Sequence, residues 1–229
     1  MSASLIALEQ RALSEASLLI EGETGVGKEV AAEAVHRASL RCAGPFLVFD
    51  CAAKSLTAGA RELFGAESGD DHEPGMLELA AGGTLFLDHI DELAVPLQLR
   101  LARALERRKI PGPSGTRNVR LDLRVIAAST RGLHREVRLG TFNRELFVQV
   151  GVECIRIPPL RQRLEDLMSL SQEILASFSP PRTPTDIPED VWTAFRTYHW
   201  PGNVRELKNA LQRAVLVPER ALYFFTRRG

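Results

Sequence analysis

Residues Ala16 to Leu40 read ASLLIEGETGVGKEVAAEAVHRASL, and the fold is decided inside that stretch. Ala16 to Glu21 (ASLLIE) is an apolar run that predicts a short strand. Lys28 to Leu40 predicts a helix with Val30, Ala31, Ala34, Val35 and Ala38 on one stripe. Between them lies Gly22-Glu23-Thr24-Gly25-Val26-Gly27-Lys28 (GETGVGK), a GxxxxGK loop in the strand–loop–helix context that this motif requires. Its glycines let consecutive backbone N–H groups converge on phosphate oxygens, and the helix N-terminus favours negative charge there. Lys28 adds a point charge for terminal phosphates. The motif's usual Ser/Thr, which touches magnesium, is Glu29 here.

Outward from the loop, Phe46 to Asp50 (FLVFD), Thr84 to Asp88 (TLFLD) and Leu123 to Ala128 (LRVIAA) are further apolar runs. Continuous rather than alternating apolarity predicts strands buried on both faces, as in a parallel sheet covered by helices. Pro96 to Arg108 is a helix between two of them, so strands alternate with helices in a doubly wound α/β pattern. The stretch GGTLFLDHID (Gly82 to Asp91) ends its strand in Asp88, one carboxylate for a metal–phosphate site. With Glu29 in the Ser/Thr place, Mg2+ would rest mainly on Asp88 and water. Strand-plus-Asp is a weak signal alone; paired with a phosphate loop some sixty residues earlier, it is strong.

After Pro158-Pro159 the pattern changes. Leu164 to Phe178, Glu189 to Tyr198 and Asn203 to Val215 predict helices broken by Pro180-Pro181, Pro184, Pro188 and Trp200-Pro201-Gly202. The expected organisation is a core over residues 1–160 and a small helical module over 161–229. Ser68 to Pro74 (SGDDHEP) reads as an acidic surface loop.

Composition narrows the function classes. At 229 residues and 45% hydrophobic content the chain can bury a real core. Lys+Arg 29 balance Asp+Glu 29, so bulk charge argues for neither a nucleic-acid nor a membrane partner. Cys42, Cys51 and Cys154 are odd in number and lack metal-ligand spacing; a reducing compartment and a core-filling role fit them. No stretch approaches a membrane span and the N-terminus is no secretory signal, so a soluble, cytoplasmic protein is expected. Arg107-Arg108-Lys109 and Arg227-Arg228 read as solvated faces rather than phosphate tracks.

With both motifs placed, the chain resembles the AAA+ ATPase domain of bacterial enhancer-binding proteins, the activators of sigma-54 RNA polymerase. The resemblance runs from about Leu5 to Val217 and rests on GETGVGKEVAAEAVHRAS, GPFLVFDCAA, ELFG, GGTLFLD, LRVIAAS, IPPLRQRLEDL and WPGNVRELKNAL. Glu29 is itself usual in that family. The resemblance implies a three-layer P-loop AAA+ core with a parallel sheet, a small C-terminal all-helical lid, ATP or ADP with Mg2+ between subunits, and ring oligomers. It implies a nucleotide-binding set of Gly22, Glu23, Thr24, Gly25, Val26, Gly27, Lys28, Glu29, Asp88 as the Mg2+ ligand, Thr130 at sensor I and Arg205 at sensor II. Taken without the motif, Arg205 is equally a solvated helix charge. Family members usually carry a helix-turn-helix after the lid; VPERALYFFTRRG is too short for one, so direct DNA binding by this chain is not expected.

The departures from the pattern concern hydrolysis and coupling. The glutamate expected after Asp88 is His89, and its partner asparagine is Asp50. The two arginine-finger positions within GTFNRELFVQV hold Asn143 and Gln149; Arg144 diverges from its neighbour by about 100° on a helix. The GAFTGA loop that contacts sigma-54 is missing, because only the nine residues AESGDDHEP separate Gly65 from Gly75. His89 reads either as a general base oriented by Asp50 or as a polar residue filling vacated space. Asp91 reads as a displaced base or, more ordinarily, as a helix N-cap. The leading expectation is a regulatory module that holds ATP or ADP with little or no hydrolysis, partnered by other regulator domains or proteins and by possible self-association. The alternatives are an active ATPase remodelling sigma-54 polymerase and a nucleotide-free interaction scaffold.

Overall fold

The strand expected ahead of the loop forms as β1 (Leu18–Glu21), and Lys28 opens α1 (Lys28–Arg37) directly after it. The computed structural model describes residues 11–52, 55–68, 71–111 and 118–216. It divides into two compact units, Met1–Gly22 with Lys28–Arg156 and Glu23–Gly27 with Ile157–Gly229. The first unit continues through β2 (Phe46–Asp50), α2 (Leu56–Phe64), β3 (Ala66–Ser68), β4 (Asp71–Glu73), α3 (Met76–Leu79) and β5 (Thr84–Asp88). It ends with α4 (Val95–Arg107), β6 (Lys109–Pro111), β7 (Asn118–Arg120), β8 (Arg124–Ser129), α5 (Leu133–Arg138), α6 (Arg144–Val150) and β9 (Glu153–Arg156).

Five strands form one sheet in the order β2-β5-β8-β1-β9, every pairing parallel. Position in that order decides burial. Central β8 is buried at all six residues, and β5 is buried from Thr84 to Leu87. Edge strand β2 departs from the expectation of two covered faces: Phe49 is buried, but Val48 is 38% exposed. An apolar run at a sheet edge lacks one neighbour, so its apolarity overstates its burial.

The α1 stripe is also corrected. Ala31 and Val35 are buried as expected, but Ala32 and His36 complete the inner face, while Val30 is 71% exposed and Ala34 and Ala38 face solvent. A polar residue wins the inward position because it is satisfied there: His36 Nδ1 lies 2.9 Å from Thr84 Oγ1. Burial holds the His36 imidazole below its usual value. Arg124, 1% exposed, is held the same way, donating to the carbonyls of Arg11, Ala12 and Ala16. Of the three cysteines only Cys51 fills core; Cys42 and Cys154 are exposed.

The stretch expected as an acidic loop, Ser68 to Pro74, holds the end of β3 and all of β4, which pair antiparallel; residues 69–70 lie outside the described residues. Its base is pinched. Gly65 has φ +83, and a Cβ there would sit 2.4 Å from Glu73 O. Arg61 clamps the same place with a two-oxygen bond to Glu73.

The second unit holds α7 (Leu167–Ala176), α8 (Glu189–Thr197) and α9 (Asn203–Leu216). Residues 164–166 form a 3-10 turn, so α7 starts later than the periodicity predicts. Its core gathers Val191, Trp192, Phe195, Trp200, Leu207 and Leu211. Trp200 stands edge-on to Phe195 and Tyr198, with ring centroids 5.2 Å apart in each pair, and donates its indole N–H to Phe195 O. No helix among the described residues is long and apolar enough to cross a membrane. VPERALYFFTRRG, including Arg227-Arg228, lies outside the described residues.

Candidate functional site

The ends of the glycine-rich loop belong to the first unit. Gly22 N–H donates to Ser129 O at the end of β8, 3.2 Å away. Lys28 is buried at 7% exposure, and its Nζ donates to Gly22 O at 2.9 Å. A buried ammonium is expensive unless polar groups meet it, so this position is built around a cation. Glu29 is exposed on α1.

The middle of the loop, Glu23–Gly27, belongs to the second unit and is gripped there. Arg161 reaches both oxygens of Glu23 at 2.6 and 2.8 Å, a bond that raises its guanidinium pKa. Asn203 Nδ2 donates to Glu23 Oε2 and to Thr24 O, while its Oδ1 accepts from Leu160 N–H. Arg163 donates to Val26 O, and Arg205 N–H to Gly25 O. Gly25 has φ +80, and a Cβ there would meet Gly202 O at 2.4 Å; Gly27 has φ +101. The Arg205 side chain is exposed.

At the strand ends of the first unit, parallel register sets Asp50 opposite Asp88. His89 follows in the left-handed region at φ 50. Its backbone N–H donates to Asp88 Oδ1 at 2.9 Å, and its Nδ1 lies 3.2 Å from Asp50 Oδ1 and 3.5 Å from Asp88 Oδ2. An Nδ1–H donated to Asp50 leaves Nε2 as the acceptor. The Asp91 N-cap reading is corrected: His89 precedes the 3-10 turn Ile90–Glu92, and Asp91 sits inside it. The Asp91 carboxylate is fully buried and accepts from Thr130 N–H and Oγ1, the latter at 2.9 Å. Thr130 is thereby fixed, and Asp91 is committed to it rather than to water.

Asn143 has a local task. Its Oδ1 accepts Leu146 N–H at 2.7 Å as the N-cap of α6, and its own N–H donates to Gln98 Oε1 at 2.8 Å. Gln149 is half-buried on α6 and Arg144 is exposed at its start. The structure thus gathers Asp50, Asp88 and His89 in one corner and ties Thr130 to Asp91. It shows no hydrogen bond from Asn143 or Gln149 to that corner among the described residues.

Comparison with known families agrees with this architecture. The sigma-54 interaction domain profile matches residues 1–156. The chain belongs to the sigma-54 interaction domain family. The AAA+ ATPase lid domain profile matches residues 161–222. Within the family, the chain is 40% identical over 220 residues to regulatory protein AtoC of Escherichia coli (strain K12), covering 93% of this chain and 48% of AtoC. It is 41% identical over 216 residues to transcriptional regulatory protein FlbD of Caulobacter vibrioides, covering 91% of this chain and 48% of FlbD. The chain therefore spans about half the length of these relatives. Among solved structures, NtrX from Brucella abortus in complex with ADP is similar at a TM-score of 0.85 and 30% identity, over 95% of this chain and 51% of NtrX. NtrX in complex with ATP gives a TM-score of 0.83 at the same identity. The parallel five-stranded sheet with its helices and helical lid is the AAA+ P-loop fold.

Sequence reasoning missed three residues that hold the loop: Arg161, Arg163 and Asn203. All lie within IPPLRQR and WPGN, stretches that carry the family resemblance. The usable signal was Asn203 after Pro-Gly at a helix start, a residue type that tolerates its φ of 53.

Proposed function

We propose that this domain binds ATP or ADP with Mg2+, hydrolyses it little or not at all, and uses occupancy to set its shape or assembly within a sigma-54-activator-type regulator. The observation that supports this reading is the contrast between a buried Lys28 beside a braced glycine loop and a hydrolytic corner rebuilt as His89 on Asp50. A buried ammonium at a helix start next to backbone held at positive φ fits a phosphate chain. Asp88 fits a Mg2+ that keeps mostly water and phosphate oxygens, since no cluster of three metal-ligating side chains exists among the described residues. When bound, the metal neutralises phosphate charge. Lys28, the N–H groups of Thr24, Gly25 and Gly27, and Arg205 are the assigned phosphate-binding groups; Thr130, whose donors go to Asp91, is the sensor-I residue beside them, and Glu23 the brace of the loop.

Magnitudes favour holding over cleaving. A positioned general base is worth roughly 10²–10⁴ in rate and an arginine finger roughly 10³–10⁵. Asn143, at one finger position, is spent on capping α6. The short β3–β4 hairpin lies where the resemblance implies the sigma-54-contacting loop, and the partners of the domain on this reading are other regulator domains, protein partners or copies of itself. Isothermal titration with ATP and ADP at millimolar ligand tests this; no heat of binding rejects it.

One observation favours a second reading. The 3.2 Å contact between His89 and Asp50 is the arrangement of an oriented base, with Nε2 free to take a proton from water. On that reading phosphate release falls by roughly 10² or more in His89→Ala. Equal release in wild type and variant removes it.

A further inference from the structure

Away from the loop and the acidic corner, the first unit carries a groove of about 470 Å³ between α4 and β6. Its floor is apolar, with Phe64, Leu99 and Ile110 among the lining residues. Its walls carry four cations: Arg100, Arg103 and Arg107 from α4, and Lys109 from β6. Positions 100, 103 and 107 share one face of a helix, so the arginines form a single stripe. Arg103, Arg107 and Lys109 are exposed and form no ion pair among the described residues. Arg100 lies over the Phe64 ring, 4.0 Å from its centroid.

Four like charges around one small groove repel one another, and the chain's zero net charge shows that this is local placement rather than bulk composition. An anionic partner relieves that repulsion. Phe64 is only 5% exposed and covered by Arg100, so it offers no face on which a nucleobase can stack. The apolar floor, with Leu99 at 39% exposure, instead suits an aliphatic side chain. We propose that this groove docks an acidic peptide segment with apolar side chains, carried by a partner protein. Its carboxylates pair with Arg103, Arg107 and Lys109, where guanidinium forks match carboxylate geometry, and an apolar side chain packs on Leu99. The proposal does not depend on whether nucleotide is bound.

Fluorescence anisotropy tests it with three labelled probes of twelve units: an alternating Glu/Leu peptide, the matching Lys/Leu peptide and oligothymidylate. The Glu/Leu peptide is expected to bind, more weakly as salt rises, and the Lys/Leu peptide is not. Arg103→Glu/Arg107→Glu is expected to weaken binding at least about tenfold with an unchanged circular dichroism spectrum. Arg103→Gln/Arg107→Gln gives a milder loss that serves if the reversal perturbs folding, and Leu99→Ser weakens binding several-fold. The proposal falls if the Glu/Leu peptide does not bind, if both arginine pairs leave its affinity unchanged, or if the Lys/Leu peptide binds equally well. It also falls if oligothymidylate alone binds and loses affinity in the variants, which would make the groove a phosphate track.

Discussion

The phosphate loop and the corner formed by Asp50, Asp88 and His89 use different parts of the polypeptide. The loop acts through backbone: Gly25 and Gly27 at positive φ, and carbonyls of Gly25 and Val26 taken up by Arg205 N–H and Arg163. The corner acts through side chains projected from strand ends whose register is set elsewhere in the sheet. A change in the loop must be accommodated by the chain path itself. In the corner, Asp50 and His89 project from strand ends while β2 and β5 pair residue for residue from Phe46 and Thr84. A loop held through its backbone constrains the chain path itself, whereas side chains at strand ends can be exchanged without changing the strand register.

The largest effect expected from breaking that contrast is at Lys28, the cation assigned to the phosphates. Lys28→Ala removes a buried ammonium and its bond to Gly22 O. Charge-assisted hydrogen bonds are worth about 1.5–3 kcal/mol, so ATP affinity by titration is expected to drop about 100-fold. Unchanged affinity would show that the loop does not hold phosphate.

Next comes Gly25→Ala, which tests the backbone half of the comparison directly. The left-handed conformation costs a Cβ-bearing residue about 1–2 kcal/mol, and the contact with Gly202 O at 2.4 Å adds to that. A fall in the thermal midpoint of about 4–8 °C is expected. A midpoint equal to wild type would mean that the loop and the turn at Gly202 separate freely.

The same division explains what the sequence disclosed. The loop, the runs at 46–50 and 84–88 and the three helices of the second unit were legible, because local periodicity and spacing specify them. Strand β9 was not: Glu153–Arg156 alternates exposed with half-buried residues at a sheet edge, with too little apolar signal to mark it. The inner face of α1 turned on His36 meeting Thr84, forty-eight positions away, a pairing no periodicity encodes. Arg161 and Asn203 lie 138 and 180 positions from Glu23, so their grip on the loop emerges only in three dimensions. His89 and Asp50 were legible as a pair because the resemblance implies a different residue at each of the two strand ends, and they lie 3.2 Å apart.

Asn143→Ala probes a smaller term. Loss of the α6 cap is expected to cost about 1 kcal/mol in a denaturant melt while leaving ATP affinity unchanged. Reduced affinity without reduced stability would instead give Asn143 a direct part in binding.

The smallest effect is expected where restoration looks simplest. His89→Glu introduces the glutamate that the resemblance implies, yet it sets a carboxylate beside two others: Asp50 and Asp88, which now lie 3.2 and 3.5 Å from the imidazole Nδ1. Like charges at that spacing oppose ionisation, so the new carboxylate would be held partly protonated and would be a poor base. Asn143 and Gln149 would still supply no positive charge. Turnover of His89→Glu is therefore expected to stay within about tenfold of wild type, far below the 10²–10⁴ that a well-placed base provides. Adding Asp50→Asn removes one of the two repelling carboxylates and should yield more than His89→Glu alone. A hundredfold rise from His89→Glu by itself would show that one side chain, and not the whole corner, separates holding from cleaving.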